Sequence, residues 1–307
     1  MPTLTYTSLL ERTLEINAKD GSLSAYQYIT EYADKVGGNR AQIYNFQYSL
    51  AAAAGLENEA LSLLEEAVNE CGYWYGYDYL NSDEDLDSLR GYQSFQHIVE
   101  LCKQREEEAK NSEKPFVKRI QRSGKELLVA LHGDQENITI SERYWSAVDH
   151  ADLAFIQSSQ IEFSDGYVWD DLQRGKGELT AFYEELAQSF TPETIVLGGF
   201  SAGARIAFQS VVDEEVKVKG MILVAPWLPD LDEYAPKLAH LKANGTKVYV
   251  ICGDKDDDCY ECSLQLISLL KENEVECQSS IITGLLHDFP VDYKEKLNEA
   301  VAFVYTD

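Results

Sequence analysis

The sequence predicts an α/β protein, a doubly wound and mostly parallel sheet preceded by a separate N-terminal all-α domain. Three observations predict it. From residue 127 onward, short near-continuous apolar runs alternate with helical stretches, the pattern of a parallel sheet covered on both faces. The first 112 residues carry no strand signal and read as helices throughout. Between the two, residues 105–115 are polar, highly charged and closed by Pro115, as expected of a helix end and a short linker. The expected domains are therefore residues 1–112 and 116–307, each long enough to bury its own core.

In the N-terminal domain, residues 9–16 and 26–36 form a degenerate helix pair. Residues 44–68 place Gly55 at a turn between two helices, and Ala60, Leu64 and Ala67 supply a small-large-small face for close packing. That stretch resembles one tetratricopeptide repeat, and residues 83–90 and 92–99 look like the ending such arrays have. A single good match implies a small domain of four or five helices. Such a domain stabilises the chain, recruits a protein partner or covers a site elsewhere in the chain.

The expected strands of the second domain are 127–131, 153–156, the run after Thr194, 220–225, 247–252 and 279–282. Between and after them, helices are expected at 144–151, 178–190, 204–214, 263–273 and 294–304.

The chemistry-bearing motif is Gly199-Phe200-Ser201-Ala202-Gly203, directly after an apolar strand and before a helix. A strand ending in G-x-S-x-G passes through a tight, strained turn in which only glycines let strand and helix backbones approach, so the serine stands clear of the sheet. The amide of Ala202 then lies at a helix N-terminus, where developing negative charge is stabilised.

A nucleophilic serine on this architecture needs an acid and a histidine from later strand ends, in the order Ser, Asp, His. The strand 247–252 leads into Gly253-Asp254-Lys255-Asp256-Asp257-Asp258, which offers several carboxylates. The last strand leads into Gly284-Leu285-Leu286-His287-Asp288-Phe289. The other histidines are less well placed: His97 and His150 on amphipathic helices, His240 in a polar segment, and His132 before a turn.

These ordered motifs, with Leu131-His132-Gly133 and Tyr167-Val168-Trp169-Asp170, resemble the α/β-hydrolase superfamily over about residues 116–307, and within it the phospholipase/carboxylesterase-like and dienelactone-hydrolase-like members. The resemblance implies Ser201 as nucleophile, His287 as base and Asp256, three residues after Gly253, as the acid, with Asp254 the competing assignment. It also implies an oxyanion site made by the backbone amides of Ala202 and Asp134. Relatives follow the His-Gly pair with glycine or an apolar residue, whereas this chain has Asp134-Gln135-Glu136-Asn137. Carboxylates there oppose an oxyanion, so they must turn to solvent or turnover is poor. Tyr167, Trp169 and Trp227, with Leu285 and Phe289 beside the histidine, are the candidate walls of an apolar pocket at the carboxyl edge of the sheet.

The 53 acidic and 26 basic side chains leave a formal charge of −27, which disfavours nucleic acid, anionic membrane surfaces and polyanionic substrates. A small neutral or cationic substrate is expected, with no cofactor and no metal. The first residues lack a charged n-region and an apolar h-region, and the six cysteines form no disulfide framework, so a cytoplasmic protein is expected. Cys259-Tyr260-Glu261-Cys262 is a lone C-x-x-C, a weak zinc signal. Residues 254–265 lack the glycine and the glutamate of a calcium loop. The sequence reading is a serine hydrolase of esters or thioesters; a peptidase or amidase of the same fold, or an adaptor that binds without turnover, are the alternatives.

Overall fold

The computed structural model describes residues 4–122, 125–149, 151–190 and 192–306; His150 and the first three residues, used above, lie outside them. The chain forms two compact units, one of Met1–Glu113 with Ile161–Tyr167, the other of Lys114–Gln160 with Val168–Asp307.

The first unit is built from α1 (Tyr6–Asp20), α2 (Ser22–Tyr32), α3 (Arg40–Ala53), α4 (Glu57–Glu65), α5 (Tyr77–Ser82) and α6 (Gln93–Ser112). The described residues of this unit thus hold six α-helices, more than the four or five expected. Their ends are set locally. Thr5 and Ser8 exchange side-chain and backbone hydrogen bonds of 2.9 Å in a capping box before α1, and Asn39 Oδ1 accepts from the amides of Ala41 and Gln42 before α3. Gly55, at φ +76°, turns the chain between α3 and α4. Ala60, Leu64 and Ala67 are fully buried in a core shared with Tyr48, Leu80 and Phe95.

That core also takes in a segment from far along the chain. A two-stranded hairpin, Ile161–Phe163 with Gly166–Tyr167, contributes Ile161, Phe163 and Tyr167 to it. Ser164 Oγ accepts from the Trp74 amide at 2.8 Å, and Asn39 Nδ2 donates to the Ser164 carbonyl at 3.1 Å. The expected boundary is corrected on this point: seven residues inside 116–307 pack with the helices. Their apolar side chains find cover there, and nothing local in so short a stretch announces it.

The second unit is a seven-stranded sheet of β1 (Phe116–Ile120), β2 (Glu126–Leu131), β3 (Asp152–Gln157), β4 (Thr194–Phe200), β5 (Gly220–Val224), β6 (Lys247–Gly253) and β7 (Cys277–Ile282), in the order β1-β3-β2-β4-β5-β6-β7. All neighbours are parallel except β1, which runs antiparallel to β3. This edge strand was not expected; its half-exposed residues lack the apolar run of an interior strand. The connecting helices are α7 (Ile138–Trp145), α8 (Leu172–Phe190), α9 (Ser201–Val212), α10 (Leu231–Tyr234), α11 (Ala239–Ala243), α12 (Tyr260–Glu272) and α13 (Tyr293–Tyr305). The helix expected at 144–151 instead begins at Ile138, because Asn137 caps it, accepting from the Thr139 and Ile140 amides. Apolar cores lie on both faces of the sheet. No described helix is long and apolar enough to cross a membrane.

Register decides where chemistry gathers. Leu131 pairs with Gly199, Phe200 with Val224, Val224 with Ile251, and Gly253 with Ile282. The carboxyl ends of β2, β4, β5, β6 and β7 therefore lie along one edge, and the loops leaving them hold His132, Ser201, Trp227, Asp256 and His287.

Candidate active site

Ser201 is the first residue of α9 and has φ +52°, a left-handed conformation that costs a non-glycine residue about 1–3 kcal/mol. The flanking glycines explain how the strain is held. A Cβ on Gly199 would lie 2.5 Å from the Ala204 nitrogen, and one on Gly203 would lie 2.2 Å from the His132 carbonyl oxygen. Strand β4 thus runs directly against the first turn of α9, and α9 directly against the end of β2, a packing that only glycine permits. The Ser201 carbonyl accepts from the Trp227 amide at 3.3 Å.

His287 Nδ1 lies 2.8 Å from Asp256 Oδ2. The Asp256 side chain is fully buried and that of His287 is 22% exposed, so the imidazole has its outer edge toward solvent and its inner nitrogen on the acid. Asp256 Oδ1 accepts from the Cys259 amide at 2.9 Å, which fixes the carboxylate before α12. Gly253 makes this meeting possible, since a Cβ there would come within 2.0 Å of the Leu285 carbonyl oxygen in the histidine loop. Asp254 is used differently: its Oδ1 accepts from the Gly284 amide at 2.7 Å and tethers the loop of His287. The structure therefore brings Asp256, not Asp254, to the imidazole. The ring of Phe200 lies 4.9 Å from that of His287 and stacks at 4.6 Å on Phe289, so the residue before Ser201 also supports the histidine.

At the end of β2, His132 is fully buried and its pKa is lowered to about 4 by loss of solvent. Its Nε2 accepts from the Ser158 amide at 3.1 Å, which leaves the proton on Nδ1, 2.7 Å from the Gly133 carbonyl. His132 is a neutral strut of the turn. Of the two alternatives left open for the acidic residues of this turn, the first, that they point to solvent, does not hold for Asp134 and Glu136. Asp134 Oδ1 accepts from the Trp169 amide at 2.8 Å, and Glu136 is buried with Oε2 2.9 Å from the Gly133 nitrogen, from which it accepts. Burial raises Glu136 to about 7, against the hydrogen bond from Gly133 and the field of His287, with Asp288 and Asp134 raising it further. Around neutral pH the turn therefore carries less negative charge than its sequence suggests. The reach of Glu136 back to an amide three residues earlier resembles one half of a capping box, a signal available in the sequence; Asp256, which accepts from the Cys259 amide three residues later, resembles the other half.

The five expected pocket residues divide. Tyr167 belongs to the helical unit, where its hydroxyl donates to Glu113 at 3.1 Å. Trp169 is fully buried, its Nε1 donating to the His132 carbonyl at 2.8 Å and its ring stacked on the His132 imidazole. Phe289 is sandwiched between Phe200 and Tyr144 in the core. Large rings in loops are worth more as core than as exposed lining, which is why these three are buried. Trp227 is 37% exposed, with the Arg205 guanidinium 5.0 Å from its ring, and Leu285 is half-buried in the histidine loop.

A doubly wound sheet with a strained serine elbow after one strand and a buried Asp–His pair after two later ones defines the α/β-hydrolase class. The comparisons agree, and the chain belongs to the α/β-hydrolase family: the description "A/B hydrolase-like, N-terminal domain" matches residues 5–110 and "Alpha/beta hydrolase domain" matches residues 173–302. It is similar along its length to the crystal structure of an uncharacterized protein from Bacillus cereus, with 47% identity over 99% of this chain and 100% of that one and a TM-score of 0.58. At 18% identity the fold is shared with esterase PE8, over 62% of this chain and 99% of that one (TM-score 0.52). Zea mays acyl-protein thioesterase 2 shares it at 18% identity over the same proportions, with a TM-score of 0.50. No curated protein matches the sequence significantly.

Proposed function

We propose that this chain hydrolyses carboxylic esters or thioesters through a covalent acyl-enzyme. Ser201 Oγ attacks the carbonyl carbon and its proton passes to Nε2 of His287, whose other nitrogen is engaged by Asp256. Asp256 holds the tautomer and stabilises the imidazolium. The amides of Ala202 and Asp134 receive the oxyanion. The tetrahedral adduct collapses as His287 returns the proton to the departing alkoxide or thiolate, and water, deprotonated by the same imidazole, then releases the acid. Trp227 and Leu285 line the approach to Ser201. With a net charge of −27, the protein favours a small neutral or cationic substrate.

The observation that carries the reading is the 2.8 Å contact of His287 Nδ1 with the buried Asp256 on the edge where Ser201 is held at φ +52°. The activities named for esterase PE8 and for the maize thioesterase are of the same kind. Labelling with a fluorophosphonate tests it: the adduct is expected on Ser201 and on no other serine, and an unlabelled Ser201 in folded protein would overturn it. The helical unit, with its tetratricopeptide-like α3–α4 pair, is read as a platform for a protein partner.

A further inference from the structure

The C-x-x-C pair sits directly behind the acid of this site. Cys259 is the residue before α12 and Cys262 lies in its first turn. Cys259 is fully buried, whereas Cys262 is partly exposed. Cys262 Sγ donates to the Cys259 carbonyl at 3.2 Å, which folds the second cysteine back on the first, and each side chain is the largest influence on the other's acidity. Two connections run from this pair into the catalytic edge. The Cys259 amide donates to Asp256 Oδ1 at 2.9 Å, and its sulfur lies within 4.8 Å of both the Asp256 carboxylate and a His287 ring nitrogen. On the other side, Cys262 Sγ donates to the Pro226 carbonyl at 3.1 Å, and the next residue, Trp227, donates its amide to the Ser201 carbonyl.

We propose that Cys259 and Cys262 are a redox-active dithiol, and that their oxidation to a disulfide by a peroxide distorts the Asp256–His287 pair and turns the enzyme down. This rests on the ester-hydrolase reading for its effect on activity, but not for its chemistry. Cys262 is the attacking sulfur, since it is the one a peroxide can reach, and the neighbouring Cys259 side chain lowers its thiol to about 7 while the Cys259 thiol is pushed up. Its thiolate attacks one peroxide oxygen, the O–O bond breaks, and a sulfenic acid and hydroxide result. The Cys259 sulfur then attacks the Cys262 sulfur, the S–O bond breaks, and the Cys259 proton leaves with the hydroxyl group as water. Each sulfur has given up one electron and the peroxide has taken two.

Coupling to the site follows from geometry. Side chains three apart in helical backbone have Cβ atoms about 5–6 Å apart, whereas a disulfide holds them at about 3.5–4.5 Å. Closure therefore pulls Cys259 toward the helix and with it the amide that fixes Asp256. It also removes the S–H that Cys262 gives to Pro226.

The full-length protein is treated with hydrogen peroxide, quenched by alkylation and peptide-mapped, and the titration of His287 is followed by NMR in both redox forms. The expected result is a single cross-link between Cys259 and Cys262, reversed by dithiothreitol, with a displaced His287 titration and ester turnover at least about tenfold lower in the oxidised form, the order expected for losing one hydrogen bond to a charged group. Cys262→Ser is expected to form no cross-link and to keep its turnover under the same treatment. A cross-link to Cys252 instead, oxidation of the exposed Cys71 with no link at 259–262, or a link that leaves the His287 titration unmoved would each overturn the proposal. Because mapping and titration need no substrate, failure of the ester reading is seen separately, as a reduced protein that neither labels at Ser201 nor turns over.

Discussion

Asp256 and His287 lie 31 residues apart in sequence and meet at 2.8 Å, with the acid fully buried and its second oxygen held by the Cys259 amide. Asp254, two residues earlier, points to the other side of the same loop and binds Gly284. Asp256→Asn is expected to lower ester turnover by about a thousandfold or more, because the amide cannot stabilise the imidazolium and favours the wrong tautomer. Asp254→Asn keeps an acceptor for Gly284 and should cost less than about tenfold. Steady-state kinetics on p-nitrophenyl esters read the ranking, and its reversal would move the acid to Asp254.

Ser201→Ala is expected to reduce the same turnover by at least about three orders of magnitude while leaving secondary structure unchanged. It should also raise thermal stability slightly, since alanine at φ +52° sheds no more strain than serine but leaves no hydroxyl to be satisfied at a half-buried position. Turnover equal to the wild type would exclude Ser201 as nucleophile.

Glu136 gives the stability of the protein a pH dependence with a definite sign. Its carboxyl is raised in the folded state from an ordinary 4.5 to about 7, so between those values the folded chain binds the proton that the unfolded chain has lost. The wild type therefore loses stability as pH rises through this window and the loss levels off above it. Glu136→Gln keeps an acceptor for the Gly133 amide without the charge. Thermal unfolding at pH 4.5 and pH 8 should show the variant gaining on the wild type at the higher value, by about 1–3 kcal/mol; an offset that does not change with pH would contradict this account.

Removal of residues 1–112 uncovers the hairpin Ile161–Tyr167, whose Ile161, Phe163 and Tyr167 are buried in the helical core. The truncated chain is expected to aggregate. Replacing Ile161 and Phe163 by serine in that chain should restore solubility, and with it ester hydrolysis, since Ser201, Asp256 and His287 all lie in the other unit. Size-exclusion chromatography distinguishes the two; a truncated form that is monomeric without the replacements would show that the hairpin needs no cover.

The features legible in the sequence were those that local chemistry enforces. Glycines at 199 and 203, an apolar strand before them and a helical pattern after them specify the elbow, because no other residue type lets the backbones of β4, α9 and β2 approach so closely. Continuous apolar runs likewise specify interior parallel strands, and parallel strands with short loops bring residues 201, 256 and 287 to one edge. Four neighbouring carboxylates at 254–258 could not be told apart that way, since their directions depend on how the β6 loop packs against Leu285 and Gly284.

Tertiary structure alone decided the rest. Trp169 and Phe289 look like pocket walls in a loop sequence, yet both are buried, Trp169 stacked on His132 and Phe289 on Phe200, and burial of an aromatic ring outweighs a place at the rim. Tyr167 leaves the sheet domain for the helical core because its hairpin partners Ile161 and Phe163 go there. Glu136 reads as a repelling charge beside an oxyanion, and its burial against the Gly133 amide makes it an acid that is largely protonated below about 7. In each case the sequence determined the residue and its local backbone, while the partner that sets its free energy came from a segment too distant for any pattern of spacing to name.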